Sequence, residues 1–154
     1  PKAVTTPFHP TYVIGQLSEP LSVVAQLQYT TGIRVSEAYA VIQDLEKHLD
    51  GLKLLNIVGK NGQKYQAKII SLELKLMLLR LQEQQVKLPV QSTYYRQLQI
   101  FGMSSHDIRA FYSKELYEQK VEEGSSHVAA CLFVSKAINH HRIQITVYYL
   151  AKFT

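Results

Sequence analysis

A scattered set of residues closes, in chain order, on one tyrosine: Thr31-Gly32-Ile33-Arg34-Val35-Ser36-Glu37, then His106-Asp107-Ile108-Arg109, then His140 and Tyr149. Together these residue types point to phosphoryl transfer through a covalent tyrosine. Singly, each has an ordinary explanation. Arg34 reads as a surface or helix-capping arginine, and His106 and Asp107 as the opening of a helix, where an acid favours the positive end of the dipole. The order and the ending carry the argument.

Local signals say which elements must hold these groups. A helix is expected from Pro20, a residue tolerated in the first turn, turning Leu21, Val24, Ala25 and Leu27 inward and stopping at Gly32. Arg34 then stands between that stop and a second helix over about 35–45, capped near Ser36 or led by Glu37. Between Lys53 and Ile70 the pattern changes to two short apolar runs around Lys60-Asn61-Gly62-Gln63, a hairpin signal that places Lys60 at the tip. Ser71 caps an apolar helix to about Val86, with Leu72, Leu76 and Leu79 on one line and Leu74, Leu78 and Leu81 on another. A further helix over 91–101 follows Pro89 and precedes the turn at Gly102. The next helix, from His106 to about Glu122, carries His106 and Arg109 on one face, with Ile108, Phe111, Leu116 and Val121 inward. After Gly124-Ser125-Ser126 comes a helix to Ile138, halted by Asn139 in the left-handed conformation, so that His140 is aimed by a turn. The last segment, 143–153, is expected to be a short helix bearing Tyr149.

With 154 residues, 46% of them hydrophobic, the chain is long enough for one core and too short for two comfortable domains. The fold class expected is mainly α with a small antiparallel β-hairpin or sheet. Seventeen Lys and Arg against twelve Asp and Glu give a net charge of +5, which fits a polyanionic partner without requiring one. Cys131 has no second cysteine for an internal disulfide and reads as a buried thiol. No apolar run approaches the roughly 20 residues that span a bilayer. Residues 1–20, with prolines at 1, 7, 10 and 20 and no signal-peptide core, read as a linker or lead-in. The domain proper is expected over 21–154, within a longer protein.

Four segments resemble the catalytic domain of the tyrosine recombinases, the family of phage integrases and related site-specific recombinases. They are T-G-I-R-V-S-E at 31–37, G-K-N-G at 59–62, S-H-D-I-R at 105–109 and I-N-H-H-R-I-Q-I-T-V-Y-Y at 138–149, and the match runs from about Leu21 to Leu150. The resemblance implies that Arg34 and Arg109 hold the scissile phosphate and that Lys60 is the hairpin lysine. It further makes His106 and His140 the two histidine positions, Tyr149 the nucleophile, and Glu37 the acidic residue supporting the site. The family's spacing between second histidine and tyrosine selects His140 over His141 and Tyr149 over Tyr148. Asn139 stands where the family usually has Gly, and the interval from Arg109 to His140 is longer than in typical integrases, the excess falling around Glu122 to His127.

What the resemblance implies for partners is double-stranded DNA, bound by a homotetramer across two sites in the full-length protein, in the bacterial or phage-infected cytoplasm. The family's amino-terminal core-binding domain is not seen, so the isolated chain is expected to be monomeric and to bind DNA weakly. No cofactor or metal is implied; His106, His140 and His141 lack a cysteine or carboxylate completing a recognisable metal spacing. Two alternatives stay open: a type IB topoisomerase or telomere resolvase, which share the chemistry, and a noncatalytic DNA-binding remnant of the fold. Lys60 has Lys64 as a competitor on the same hairpin, and Tyr149 has nine other tyrosines, of which Tyr39 and Tyr117 read as core or interface rings.

The residue types suit the reaction. Attack by an oxygen on a phosphodiester passes through a crowded phosphorus with added negative charge, which two guanidinium forks can meet with paired hydrogen bonds while staying charged. A phenol of ordinary pKa about 10 must lose its proton as it attacks, and cations lower that cost. The departing 5′ oxygen needs a proton, which a lysine at a hairpin tip can deliver.

Overall fold

A computed structural model describes residues 7–139, and within them helices dominate around a three-stranded antiparallel sheet. The region of His140, the segment 143–153 and Tyr149 lie outside the described residues.

The central packing is between α2 (Leu21–Thr31) and α7 (Ser105–Glu122). Leu21, Val24, Ala25 and Leu27 are buried, as the periodicity predicts, and Gly32 ends α2 at φ 77°. This left-handed stop brings the Gly32 backbone under α7: a Cβ there would lie 2.4 Å from the Tyr112 ring. The Tyr29 hydroxyl donates to Glu115 at 2.7 Å, fastening the same two helices at the other side.

Within the stretch read as a lead-in, the described residues 7–20 include a docked helix. Pro10–Gln16 forms α1, capped by the His9 side chain, which accepts from the Thr11 N–H, and Val13 is fully buried. His9 also reaches Glu115 at 3.0 Å, so α1 joins the α2–α7 pair. Its proline at the first helical position is tolerated there because that N–H has no intrahelical partner.

The second expected helix is shorter than predicted. Val35–Gln43 (α3) breaks at Asp44, whose backbone is neither helical nor extended, and one turn, Leu45–His48 (α4), follows. Strands Leu49–Asp50 (β1), Lys53–Leu54 (β2) and Lys68–Ile69 (β3) pair antiparallel in that order, Leu49 opposite Leu54 and Lys53 opposite Ile69. Beyond them the hairpin continues through a Val58–Lys64 bridge to a tip at 60–62. The tip is a 3₁₀ turn with Gly62 at φ 73°, closed by Gly59 N–H donating to Gln63 at 2.7 Å, and not a two-residue turn.

Ser71 caps Leu72–Glu83 (α5) by accepting from the Leu74 N–H. This helix ends before Val86 because Gln85 takes φ 51° and the Val86 and Gln85 N–H groups return to Leu81 and Gln82. Its two leucine lines differ: Leu74, Leu78 and Leu81 are buried, whereas Leu72 and Leu76 are exposed and only Leu79 of their line packs, half-buried, against the core. Gln91–Gln99 (α6) buries Tyr94 and Leu98. In α7, Ile108 is buried but Val121 faces solvent. His127–Ala137 (α8), capped by Ser126, buries Cys131 and Val134, and Asn139 follows at φ 59° as expected.

Candidate functional site

Arg34 occupies the N-cap position of α3. Arginine has no acceptor for the free helix N–H groups, so capping falls to Glu37, whose Oε1 accepts from the Arg34 backbone N–H at 2.7 Å. The same carboxylate pairs with Arg34 Nη1 through Oε2 at 3.4 Å. Glu37 thus fixes both the backbone and the head of Arg34. Behind the loop, buried Gln28 donates to the Ile33 carbonyl at 3.1 Å and accepts from the Tyr94 hydroxyl at 2.8 Å. The short link between α2 and α3 is therefore held from the core side.

Arg109 is 2% exposed, one of the largest buried side chains. Its helix begins with a capping box, in which Ser104 accepts from the Asp107 N–H at 3.1 Å and Asp107 accepts from the Ser104 N–H at 2.9 Å. Arg109 Nε donates to the Gly32 carbonyl at 2.6 Å, and Nη2 to the Ile138 carbonyl and, at 3.1 Å, to the Tyr65 hydroxyl. A buried cation is stabilised here by acceptors fixed in the backbone, including carbonyls at the ends of α2 and α8.

These groups meet. Arg34, Lys60, His106 and Arg109, drawn from three stretches of chain, line one cleft of about 250 Å³ together with Gln28 and Tyr95. Glu37 lies buried beside it. Lys60 and His106 are exposed, and both arginines present part of their surface to the cleft. A larger groove of about 550 Å³ between the end of α5 and the α3–α4 junction contains none of these groups. His140 and Tyr149 fall outside the described residues. Lys64, the competitor of Lys60, is not among the cleft-lining residues. No group of three or more His, Cys, Asp or Glu that could hold a metal gathers among the described residues.

Two site residues were not singled out from the sequence. The Tyr65 hydroxyl accepts from Arg34 Nη1 at 3.2 Å and Arg109 Nη2 at 3.1 Å, and donates to Glu37 Oε1 at 2.7 Å. Burial, and then the Glu37 carboxylate, hold this phenol above its ordinary pKa against the pull of Arg109. Lys68 is the other: its ammonium lies over the Tyr65 and Tyr112 rings and donates to the Ala137 carbonyl. Burial, and then the nearby Arg109 charge, lower its pKa to about 8, with Glu37 opposing. Tyr65 and Lys68 both lie in the second of the two short runs of the hairpin, where no local pattern marks which residue meets an arginine from a helix.

Asn139 joins the two ends of the site. Its amide donates to the Gln63 carbonyl at 3.0 Å, so the residue preceding His140 rests on the hairpin that carries Lys60. Gly59 permits the approach, since a Cβ there would stand 2.5 Å from the Asn139 amide nitrogen. Searches against protein-family models, curated proteins and solved structures find no match to this chain.

Proposed function

We propose that this chain is the catalytic domain of a DNA strand transferase of the tyrosine recombinase type, an integrase or site-specific recombinase. The observation that carries the reading is the cleft: Arg34, Lys60, His106 and Arg109, the positions to which the resemblance gives these roles, line the same 250 Å³ space with Glu37 behind Arg34. A cleft walled by guanidinium groups, an ammonium and an imidazole suits a phosphodiester.

In this reading Arg34 and Arg109 donate to the non-bridging oxygens of the scissile phosphate, and His106 and His140 assist as hydrogen-bonding and proton-accepting groups. The Tyr149 oxygen forms a bond to phosphorus as the bond from phosphorus to the 5′ oxygen breaks. The phenolic proton passes to a neighbouring base, for which His106 is the candidate, and Lys60 protonates the departing 5′ oxygen. The product is a 3′-phosphotyrosine linkage with a free 5′ hydroxyl. Attack by another 5′ hydroxyl reverses the step and rejoins DNA without an external energy source. Double-stranded DNA is the substrate, and four subunits on two sites are the proposed working assembly of the full-length protein.

The test is covalent trapping on a pool of nicked, randomised duplexes with the wild type, Tyr149→Phe and Tyr148→Phe. Loss of the short strand after attack traps the adduct. Adduct with the wild type and Tyr148→Phe but not with Tyr149→Phe is the expected result. No adduct from any form, including one joined to an amino-terminal DNA-binding domain, refutes the reading.

A further inference from the structure

We propose that Tyr65 is a positioning residue of this site, its hydroxyl setting the angle at which Arg34 and Arg109 meet a phosphate. For the reaction this rests on the strand-transfer reading above; for the geometry it rests on the hydrogen bonds alone.

A phenol has one proton to donate and lone pairs to accept with. Tyr65 gives its proton to Glu37 and accepts one N–H from each arginine, all within 2.7–3.2 Å. Two guanidinium groups placed side by side repel. A shared acceptor, polarised by the carboxylate it donates to, is a direct way to hold both on one side of the cleft. Arg34 comes from the cap of α3 and Arg109 from the second turn of α7; the Gly32 carbonyl ties Arg109 to the loop before Arg34, and the Tyr65 hydroxyl joins the two guanidinium heads themselves.

Tyr65 also ties the arginines to the hairpin. Its N–H donates to the Ile57 carbonyl at 2.9 Å, in the ladder that leads to the Lys60 tip. Its ring lies beneath Lys68 and beside Gly59, where a Cβ would stand 3.2 Å from it. A displacement of the hairpin therefore moves the acceptor that both arginines share. Tyr65 is no rival nucleophile, because its ring is buried and its hydroxyl is committed to three partners.

The experiment compares wild type with Tyr65→Phe, which keeps the ring and removes the hydroxyl. Inorganic phosphate is titrated while the arginine Nε–H signals are followed by NMR, and single-turnover adduct formation is measured on the trapped nicked duplex. Losing one charge-assisted partner of each arginine should weaken phosphate binding about tenfold. Misplacing the reacting phosphate should slow adduct formation on the order of 100-fold, while affinity for the duplex, set mainly by distributed backbone contacts, stays within about threefold. In an Arg34→Lys background the same Tyr65→Phe change should cost phosphate binding much less than about tenfold, because one of its partners is already altered. Phosphate affinity and rate within about twofold of wild type, or an undiminished loss in the Arg34→Lys background, would overturn the proposal. If Tyr65→Phe does not fold, Glu37→Gln weakens the same hub and should give the same ordering of losses; unchanged phosphate affinity there counts against it equally. If the wild type forms no adduct at all, the strand-transfer reading fails, and the phosphate titration still decides the role of Tyr65.

Discussion

Replacing either arginine by lysine should disable the site, but only one replacement should also loosen the fold. Arg109 is 2% exposed and its guanidinium spans three acceptors, the Gly32 carbonyl, the Ile138 carbonyl and the Tyr65 hydroxyl. A lysine ammonium is a point donor on a flexible stem and can satisfy one of the three from that position. Two buried acceptors then lose a charged donor, at about 1.5 kcal/mol each, which sums to about 3 kcal/mol. In a domain of this size about 1 kcal/mol shifts the thermal midpoint by roughly 3 °C, so Arg109→Lys should melt about 10 °C below wild type. Arg34 differs: its side chain is 27% exposed, its bond to Glu37 is long at 3.4 Å, and a lysine can keep that pairing in contact with water. Arg34→Lys should cost less than about 1 kcal/mol, a shift within roughly 3 °C. On the strand-transfer reading both variants should lose on the order of 100-fold in adduct formation, because a lysine ammonium cannot reproduce the fixed donor geometry of either guanidinium. The assay is paired thermal denaturation and single-turnover trapping on one preparation of each variant. An Arg109→Lys protein that melts with wild type, or an Arg34→Lys protein that melts with Arg109→Lys, would refute the assignment of the buried carbonyl contacts to Arg109.

Further outcomes test the supports. Gly32→Ala forces an L residue into φ 77° and drives a methyl into the Tyr112 ring, so it should destabilise by about 2 kcal/mol or more in urea unfolding. Ser104→Ala removes half of the α7 capping box and should cost about 1 kcal/mol, with faster amide exchange in the first turn, which holds His106. Lys68 gives a pH signature: its pKa falls from 10.5 in the unfolded chain to about 8 when folded, so the unfolded state binds more protons between these values and stability from this group rises with pH. Wild type minus Lys68→Met should therefore gain about 2 kcal/mol in relative stability from pH 8 to pH 10, and a flat difference would show that Lys68 is not buried as described.

What the sequence revealed and what it hid divides along a physical line. Stops and caps were legible because they are local: Gly32 and Asn139 in left-handed conformations, and Ser71 as acceptor for the N–H group three residues on. The end of α5 was not, because Gln85 takes the left-handed position that glycine or asparagine usually signals. The burial of α1 was hidden for a related reason, since seven residues carry too little periodicity to separate a docked helix from a proline-rich lead-in. Leu72 and Leu76 misled in the opposite sense, since an apolar line on a helix says which residues share a face and not whether another element covers it. Four of the candidate site residues were marked out by the resemblance and do share a cleft, whereas Tyr65 and Lys68, which pack between the arginines and the end of α8, lie on the returning arm of the hairpin with no pattern to distinguish them.

The hidden contacts explain how a small exposed cleft can stay in register. Arg109 reaches the Ile138 carbonyl and Lys68 the Ala137 carbonyl, so two cations from a helix and a strand grip the end of α8 where its carbonyls lack intrahelical partners. Asn139 then crosses to Gln63, and Tyr65 returns from the same hairpin to both arginines. The hairpin, the two arginines and the end of α8 form a closed loop of hydrogen bonds. Asn139, the last described residue, is thereby held in the same frame as Lys60 and the arginines. The prediction that separates this frame from mere adjacency is Asn139→Gly, which keeps φ 59° without strain and removes only the side-chain amide: it should leave the melting temperature within a few degrees, because the lost bond is single and near the surface, yet on the strand-transfer reading slow adduct formation about tenfold by releasing the end of α8 from the hairpin. An unchanged rate in single-turnover trapping would mean that the end of α8 is positioned by other contacts and that the loop through Gln63 is incidental.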